Sequence, residues 1–373
     1  MCASSLRILL YEYFCAGGGG TRIDPAVLGE ARAILAALAE DFLRLPGAHL
    51  LILQRPGTSL DLPPPHELRS VAAHGSAGSL KRALEQVDAA LVVAPERGGV
   101  LEKLTLQVEQ SGVINLGSSS LAVSVAADKW HTYRALKSAG VPQPWSVPIQ
   151  ARQALSGQWI ANRPATAPAS PSHRRQTENT RRRSEWIVKP LDGYACRGLH
   201  DLSGGGKLAD AVNSARTHSK RAQVLLQERL HGTDASVSLL GNGRQVVVLS
   251  VNRQRLKKGA HYEYVGGEVP LQHPQVALAA RVACDAARAI PGLRGYFGVD
   301  VLLDRKGAWV VDVNPRLTTS YVAVRRVLRA NPAAWILEAA RSGRLPRQVR
   351  LRGRARFTLP CASSSAGTLA ASI

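Results

Sequence analysis

Asp300, Asp312 and Asn314 carry oxygen at a spacing that could hold a cation. They lie in GYFGVDVLLDRKGAWVVDVNPR, from Gly295 to Arg316. The stretch reads as a strand, a charged turn at Asp304 to Gly307, and a second strand. Val299, Val301 and Leu303 share one face of the first strand and Asp300 takes the other. Asp312 and Asn314 share a face in turn, and a hairpin brings Asp300 close to opposite Asp312, with the register left open. Two carboxylates and an amide, with no sulfur or imidazole, suit Mg²⁺, which keeps waters and takes further ligands from phosphates. Arg316 stands just beyond. A surface hairpin with a solvated acidic turn has the same pattern, so the rest of the chain must decide.

Phosphate chemistry also needs fixed cations and donors to offset and orient the charge. Lys129 heads a helix behind Asp128, and Lys189 ends the strand EWIVKP before the loop LDGYACRG, residues 191–198. Both could reach a phosphate, and Gly193 and Gly198 could let the loop's amides fold over one. Either lysine alone reads equally well as a solvated charge. Cys196 lies in that loop with no evident base beside it and reads as structural.

The hydrophobic pattern supplies the scaffold. Residues 6–14 read as a strand running into Gly17 to Gly20. The G-x-G-x-x-G spacing fails there, and no G-x-x-x-x-G-K-[ST] loop occurs in the chain. Helical spacing predicts a helix over 25–45, with Pro25 in its first turn. Strands are predicted at 49–54, 87–96 and 113–116, and helices at 80–86 and 101–110. This alternation predicts an open parallel α/β sheet, whose ligands collect beyond the carboxyl ends of its strands. Glu12, Gly17 to Gly20 and Glu96 would stand on that rim.

Further on, a helix runs from Asp128 to Ala139. Strands follow at 186–190, 197–202 and 224–230, then antiparallel strands over 235–254 turning at Gly241-Asn242-Gly243. Helices are predicted at 208–219, 276–289 and 331–342. Residues 151–184 are Ala, Pro, Ser, Thr and Arg, cannot bury a core, and read as a disordered insertion. In the tail, Arg350, Arg352, Arg354 and Arg356 alternate with Leu351, Ala355 and Phe357, as in an edge strand.

Composition excludes several classes. The 373 residues, 45% hydrophobic, suffice for two or three packed units. The net charge is +21, but stretches 163–183 and 341–356 carry thirteen arginines against one acid. Neither interleaves aromatics that would stack bases, so nucleic-acid binding is not expected. Five cysteines without a CxxC pair argue against disulfides or zinc and for a reducing, cytoplasmic setting. The opening run LRILLYEYF contains Glu12 and lacks a cleavage site, so a strand is expected there and not a signal peptide. No apolar stretch approaches the roughly 20 residues of a membrane span.

Taken in order, several pieces resemble the ATP-grasp superfamily. They are Asp128-Lys129, Val188-Lys189-Pro190 with its loop, Gln227-Glu228-Arg229-Leu230 with Gly232 and Asp234, Asp300, and Asp312-Val313-Asn314-Pro315-Arg316. The resemblance implies a mixed α/β fold. An open parallel pre-ATP-grasp domain (1–117) would precede an ATP-grasp domain of two α+β subdomains (118–342), with a basic strand and tail after it (343–373). It implies ATP and two Mg²⁺, which Mn²⁺ could replace, held by Asp300, Asp312 and Asn314. Lys129 and Lys189 would contact the α- and β-phosphates, and the Gly193–Gly198 loop would close over them. Gln227 would meet the adenine amino group, Glu228 to Leu230 the ring edge, and Asp234 the ribose hydroxyls. Arg316 would stabilise the transferring phosphoryl group. Where some members carry an arginine two residues before the first metal aspartate, this chain has Gly298, leaving Arg316 or Arg253 for that role.

At finer grain, LLYEYFCAGGG, VVAPE, NLGSSS, KPLDG and NPRLTTSY resemble the tyramine–glutamate ligase group of methanofuran biosynthesis and its bacterial relatives. That implies a carboxylate–amine ligase. ATP would phosphorylate a glutamate-like carboxylate, an amine would attack the acyl phosphate, and an amide, ADP and phosphate would leave. A homodimer is the family expectation. Two other readings stay open: an ATP-grasp kinase acting on a hydroxyl, and a non-enzymatic nucleotide- or RNA-associated protein. Tyr262, Tyr264, Gly266, Gly267, Ser320 and Tyr321 are candidates for the substrate pocket or, equally, for loop packing.

Overall fold

The computed structural model describes residues 5–20, 23–56, 64–70, 76–150, 185–193, 196–203, 207–259, 262–359 and 370–372. The expected insertion at 151–184 lies outside them.

Parallel strands covered on both faces need near-continuous apolar runs, and LRILLYE, AHLLILQ and AALVV supply them. The first sheet contains β1 (Leu6–Glu12), β2 (Ala48–Gln54), β3 (His66–Ser70), β4 (Ala89–Val93) and β5 (Ile114–Asn115). All pair in parallel, in the order β3-β2-β1-β4-β5. Strand β3 was not expected, since HELRS carries no apolar run. One face packs on α1 (Pro25–Leu43) and the other on α2 (Ser76–Leu84) and α3 (Val100–Gln110). Strand order reverses between β1 and β4, which opens a crevice beyond their carboxyl ends. Glu12 stands there, in register with Val93.

Helices α4 (Ser120–Ala126) and α5 (Lys129–Ser138) lead to two antiparallel sheets. The smaller has the order β6-β9-β7-β8, from β6 (Ser146–Gln150), β7 (Trp186–Pro190), β8 (His200–Asp201) and β9 (Gln223–Glu228). It buries Ile149, Val188, Val224 and Leu226 against α6 (Leu208–Thr217). Strand β6 escaped the sequence reading because Pro148 interrupts its pattern. The strand expected over 197–202 is only two residues long.

The larger sheet has the order β14-β13-β10-β11-β12-β15-β16. Its strands are β10 (Thr233–Asn242), β11 (Val246–Lys257), β12 (Glu263–Val269), β13 (Arg294–Asp304), β14 (Gly307–Asn314), β15 (Ala355–Thr358) and β16 (Ala370–Ser372). Val237, Leu239, Phe297 and Val299 pack against α7 (Val276–Arg288). The β10–β11 turn sits slightly later than the glycines suggest, because Asn242 Oδ1 accepts the N–H groups of Arg244 and Gln245 at 3.0 and 2.8 Å. Gly266 and Gly267 mark a strand rather than a loop. Strand β15 passes so close that a Cβ on Gly266 would lie 2.1 Å from Phe357 O. The tail strand is not an edge: β15 pairs with β12 on one side and β16 on the other, with Ala355 and Phe357 buried.

A continuous core fixes the first sheet to the end of the chain. Leu35 and Phe42 of α1 join Tyr321 and Val324 of α8 (Tyr321–Val327) and Ile336 of α9 (Pro332–Ser342). Asp41, buried on α1, accepts from the Tyr321 hydroxyl and from Arg325 Nε and Nη2, each at 2.7 Å. That bidentate pair sets how α1 faces the larger sheet.

Candidate active site

Strands β13 and β14 close the expected hairpin with Asp300 directly across from Asp312 and Gly298 across from Asn314. A bulge follows Asp300, an irregularity that re-aims side chains beside a site. Gln254 of β11 donates to Asp300 Oδ1 at 2.8 Å, and Asn314 Nδ2 donates to Oδ2 at 3.2 Å. Burial, and then the facing Asp312 charge, pushes Asp300 up to about 7, against Asn314 and the lysines. A divalent cation between the carboxylates would relieve that repulsion. Among the described residues, no three His, Cys, Asp or Glu side chains gather into a metal site. Two carboxylates and one amide fit a cation that keeps water and phosphate ligands, as Mg²⁺ does.

Lys129 reaches this pair by way of a helix cap. Asp128 Oδ1 accepts the N–H groups of Trp130 and His131 at 2.9 and 3.1 Å, so α5 begins at Lys129. Lys129 Nζ lies 2.5 Å from Asp312 Oδ2, and its backbone N–H donates to Leu191 O at 2.9 Å. Burial opposes the Lys129 charge, but Asp312 outweighs it and holds the ammonium above the usual lysine range. Lys189 is 5% exposed and forms no ion pair among the described residues. Burial brings it down to about 8, although Asp312 pulls the other way. A phosphate beside it would restore the charge.

A cavity of about 240 Å³ runs from this cluster to the carboxyl end of β1. Gln227, Glu228, Leu230 and Asp234 line it, as do Lys129, Lys189 and the hairpin residues. Gln227 is buried and donates to Ser146 Oγ at 3.0 Å, while Asp234 pairs with Lys258 at 2.6 Å. From the loop, Gly193 and Cys196 face the cavity, whereas Gly198 turns against Pro190 and His218. Burial pushes the Cys196 thiol up to about 12, which agrees with a structural role.

The two arginines part company. Arg316 lines the cavity, its Nε 2.8 Å from Glu96 Oε1 and its Nη2 3.2 Å from Oε2. Arg253 does not: it is exposed, and strand alternation sends it away from the face that carries Gln254. The expectation of a role for Arg253 is therefore corrected. Gly298 has no room for a side chain, since a Cβ there would lie 2.7 Å from Thr318 Cγ2.

The far end of the cavity was read only in part. Glu12 and Glu96 do stand on the predicted rim, 4% and 6% exposed, but Gly17 to Gly20 do not line it. Helix α1 presents Val27, Glu30, Ala31 and Ile34 at helical spacing, and Phe14 and Tyr264 complete the wall. Glu30 accepts a hydrogen bond from the Thr319 hydroxyl. Glu30 and Gln254 were missed. Glu30 looks like part of a helix's solvent face, whereas Gln254 shares a strand face with Asn252, which is 1% exposed and signals an inward polar face. Tyr262 and Ser320 also line the cavity, Gly266 and Gly267 pack on Phe357, and Tyr321 is core.

Residues 126–320 match the ATP-grasp domain family, and residues 58–123 match the pre ATP-grasp 3 domain. The chain belongs to the ATP-grasp family, among its ATP-dependent, amide-forming ligases. It is similar to tyramine–L-glutamate ligase of Methanocaldococcus jannaschii, 29% identical over 329 residues, 87% of this chain and 86% of that protein. Two solved structures share the fold. One is a putative ATP-grasp superfamily protein from Archaeoglobus fulgidus, with TM-score 0.65 and 24% identity over 98% of each chain. The other is N5-carboxyaminoimidazole synthetase from Staphylococcus aureus complexed with ADP, with TM-score 0.67 and 16% identity over 96% of this chain and 83% of that one. ATP and Mg²⁺ are general requirements of the family. Among the described residues, no helix is long and apolar enough to cross a membrane.

Proposed function

We propose that this ligase activates a glutamate-like carboxylate with ATP and transfers the acyl group to a primary amine. The cavity carries the proposal. Two facing carboxylates, the buried Lys189 and the half-buried Lys129 occupy one end, and the space continues into a substrate lobe closed by α1. Asp300, Asp312 and Asn314 would hold two Mg²⁺, with Mn²⁺ as a substitute; bound there, the metal neutralises charge on the phosphates. Lys129 and Lys189 hold phosphate oxygens. Gln227, Glu228 and Leu230 seat the adenine, and Asp234 seats the ribose. Gly193 and its loop close over the phosphates, with Gly198 shaping the loop from outside.

A carboxylate oxygen attacks the γ-phosphorus and ADP leaves. Arg316, held rigid by Glu96, stabilises the charge on the acyl phosphate. The amine gives up one proton to become the free base, its nitrogen attacks the acyl carbon, the carbon–oxygen bond to phosphate breaks, and the nitrogen loses a second proton; both protons pass to solvent. Enclosure keeps water from the acyl phosphate. The pre-ATP-grasp unit at 1–117, the grasp at 118–342 and the basic tail at 343–373 make up a cytoplasmic homodimer in this reading.

The test is ADP release from Mg-ATP and L-glutamate, with and without tyramine and other primary amines. Release that needs both substrates, with an amide in the products, is expected. ADP formed without either dependence would reduce the protein to an ATPase, and a phosphorylated hydroxyl would make it a kinase.

A further inference from the structure

Two carboxylates at the α1 end of the cavity have no close ion pair, although Arg316, itself paired with Glu96, acts on both at longer range and Arg197, paired with Asp24, on Glu30. Glu12 keeps Oε2 on the Cys15 N–H at 2.7 Å, and Glu30 accepts from Thr319, but among the described residues neither forms an ion pair. Of the other acids, Asp312 pairs with Lys129 and Asp234 with Lys258, Glu96 beside the cavity pairs with Arg316, and Asp300 takes hydrogen bonds from Gln254 and Asn314 within reach of both lysines. Burying a carboxylate without a cation is unfavourable. Burial is also the main cause that raises both carboxyls, Glu12 to about 7, with the Glu30 charge adding to it. The wall around them is apolar, built from Phe14, Val27, Ala31 and Ile34 with the ring of Tyr264.

We propose that this lobe is the subsite of the acceptor amine, which binds as an ammonium ion on Glu12 and Glu30 with an apolar body against α1 and Tyr264. The proposal rests on the ligase reading, which requires an amine and leaves its class open. The class is a monoamine carrying one ring or a short alkyl chain. A polyamine would leave a second charge among Val27, Ala31 and Ile34. A dicarboxylate would meet Glu12 and Glu30 here, whereas Lys129 and Lys189 attract it to the hairpin end.

The test is calorimetric titration of the full chain, loaded with Mg-ADP, with 2-phenylethylamine, tyramine and the uncharged 2-phenylethanol. Both amines should bind at least about tenfold more tightly than the alcohol. The Glu12→Gln/Glu30→Gln double variant should remove that preference while ADP still binds. Val27→Trp, which fills the lobe from a half-buried position, should abolish amine binding with ADP binding kept. Amines that bind no better than the alcohol, or equally well to the double variant, overturn the subsite.

A turnover arm separates the two readings. If the amines bind as described but never appear in an amide, the ligase reading fails and the cation subsite stands. If amides form while the amine KM is unchanged in Glu30→Gln, the subsite fails and the ligase stands. Replacing L-glutamate by glutarate covers the other source of an ammonium group, the amino acid itself. Loss of turnover with glutarate, together with an unchanged amine KM in Glu30→Gln, would assign the carboxylates to the donor and overturn the proposal.

Discussion

The two ends of the cavity handle buried acid differently. At the hairpin end Asp312 is matched by Lys129, and Asp300 sits between Gln254 and Asn314 with a second lysine nearby. At the α1 end Glu12 holds the Cys15 N–H and Glu30 the Thr319 hydroxyl, and among the described residues neither has a close ion pair. The first arrangement suits a metal and phosphates, whose charges largely cancel. The second leaves negative charge for a cationic guest. On the proposed reading, one cavity keeps an anionic donor and a cationic acceptor apart until the acyl phosphate lies between them.

The largest expected effect comes from breaking the hairpin end. Asp312→Ala removes the proposed metal oxygen and frees Lys129, and steady-state ADP release should fall by about a hundredfold to a thousandfold. Lys189→Met removes one proposed phosphate contact and should weaken ATP binding roughly tenfold to a hundredfold, read by equilibrium titration.

At the α1 end the effect is on stability. Glu12 has a folded pKa raised from 4.5 to about 7, so its contribution is present in full below pH 4.5 and is lost as pH rises through 7. Urea unfolding should show roughly 2–3 kcal/mol of that loss between pH 4.5 and 8, flattened in Glu12→Gln. Asn331→Ala lies away from both ends and removes the cap on Ala333 N–H. It should cost about 1 kcal/mol and leave amine KM unchanged.

The hairpin end was legible because its chemistry is local. Asp300, Asp312 and Asn314 fall within one pair of adjacent strands, and alternation already puts their oxygens together. The parallel sheet was legible for the same reason, from apolar runs spaced by helices. The α1 end joins residues far apart, with Glu30 and Thr319 separated by 289 positions, and no periodicity reports such a contact. Arg253 was misplaced because Asn252-Arg253-Gln254-Arg255 is polar throughout, so the pattern cannot say which side faces in. Only the pairing of β11 with its neighbours decides it, and Gln254 takes the inner face.

The most direct test of the central claim follows the oxygen. The carboxylate that supports turnover, L-glutamate in the first instance, is supplied with ¹⁸O in its carboxyl groups together with Mg-ATP and an amine. An acyl phosphate between the two ends of the cavity requires one ¹⁸O to appear in the released phosphate for each amide formed. Amide formed with unlabelled phosphate would contradict it.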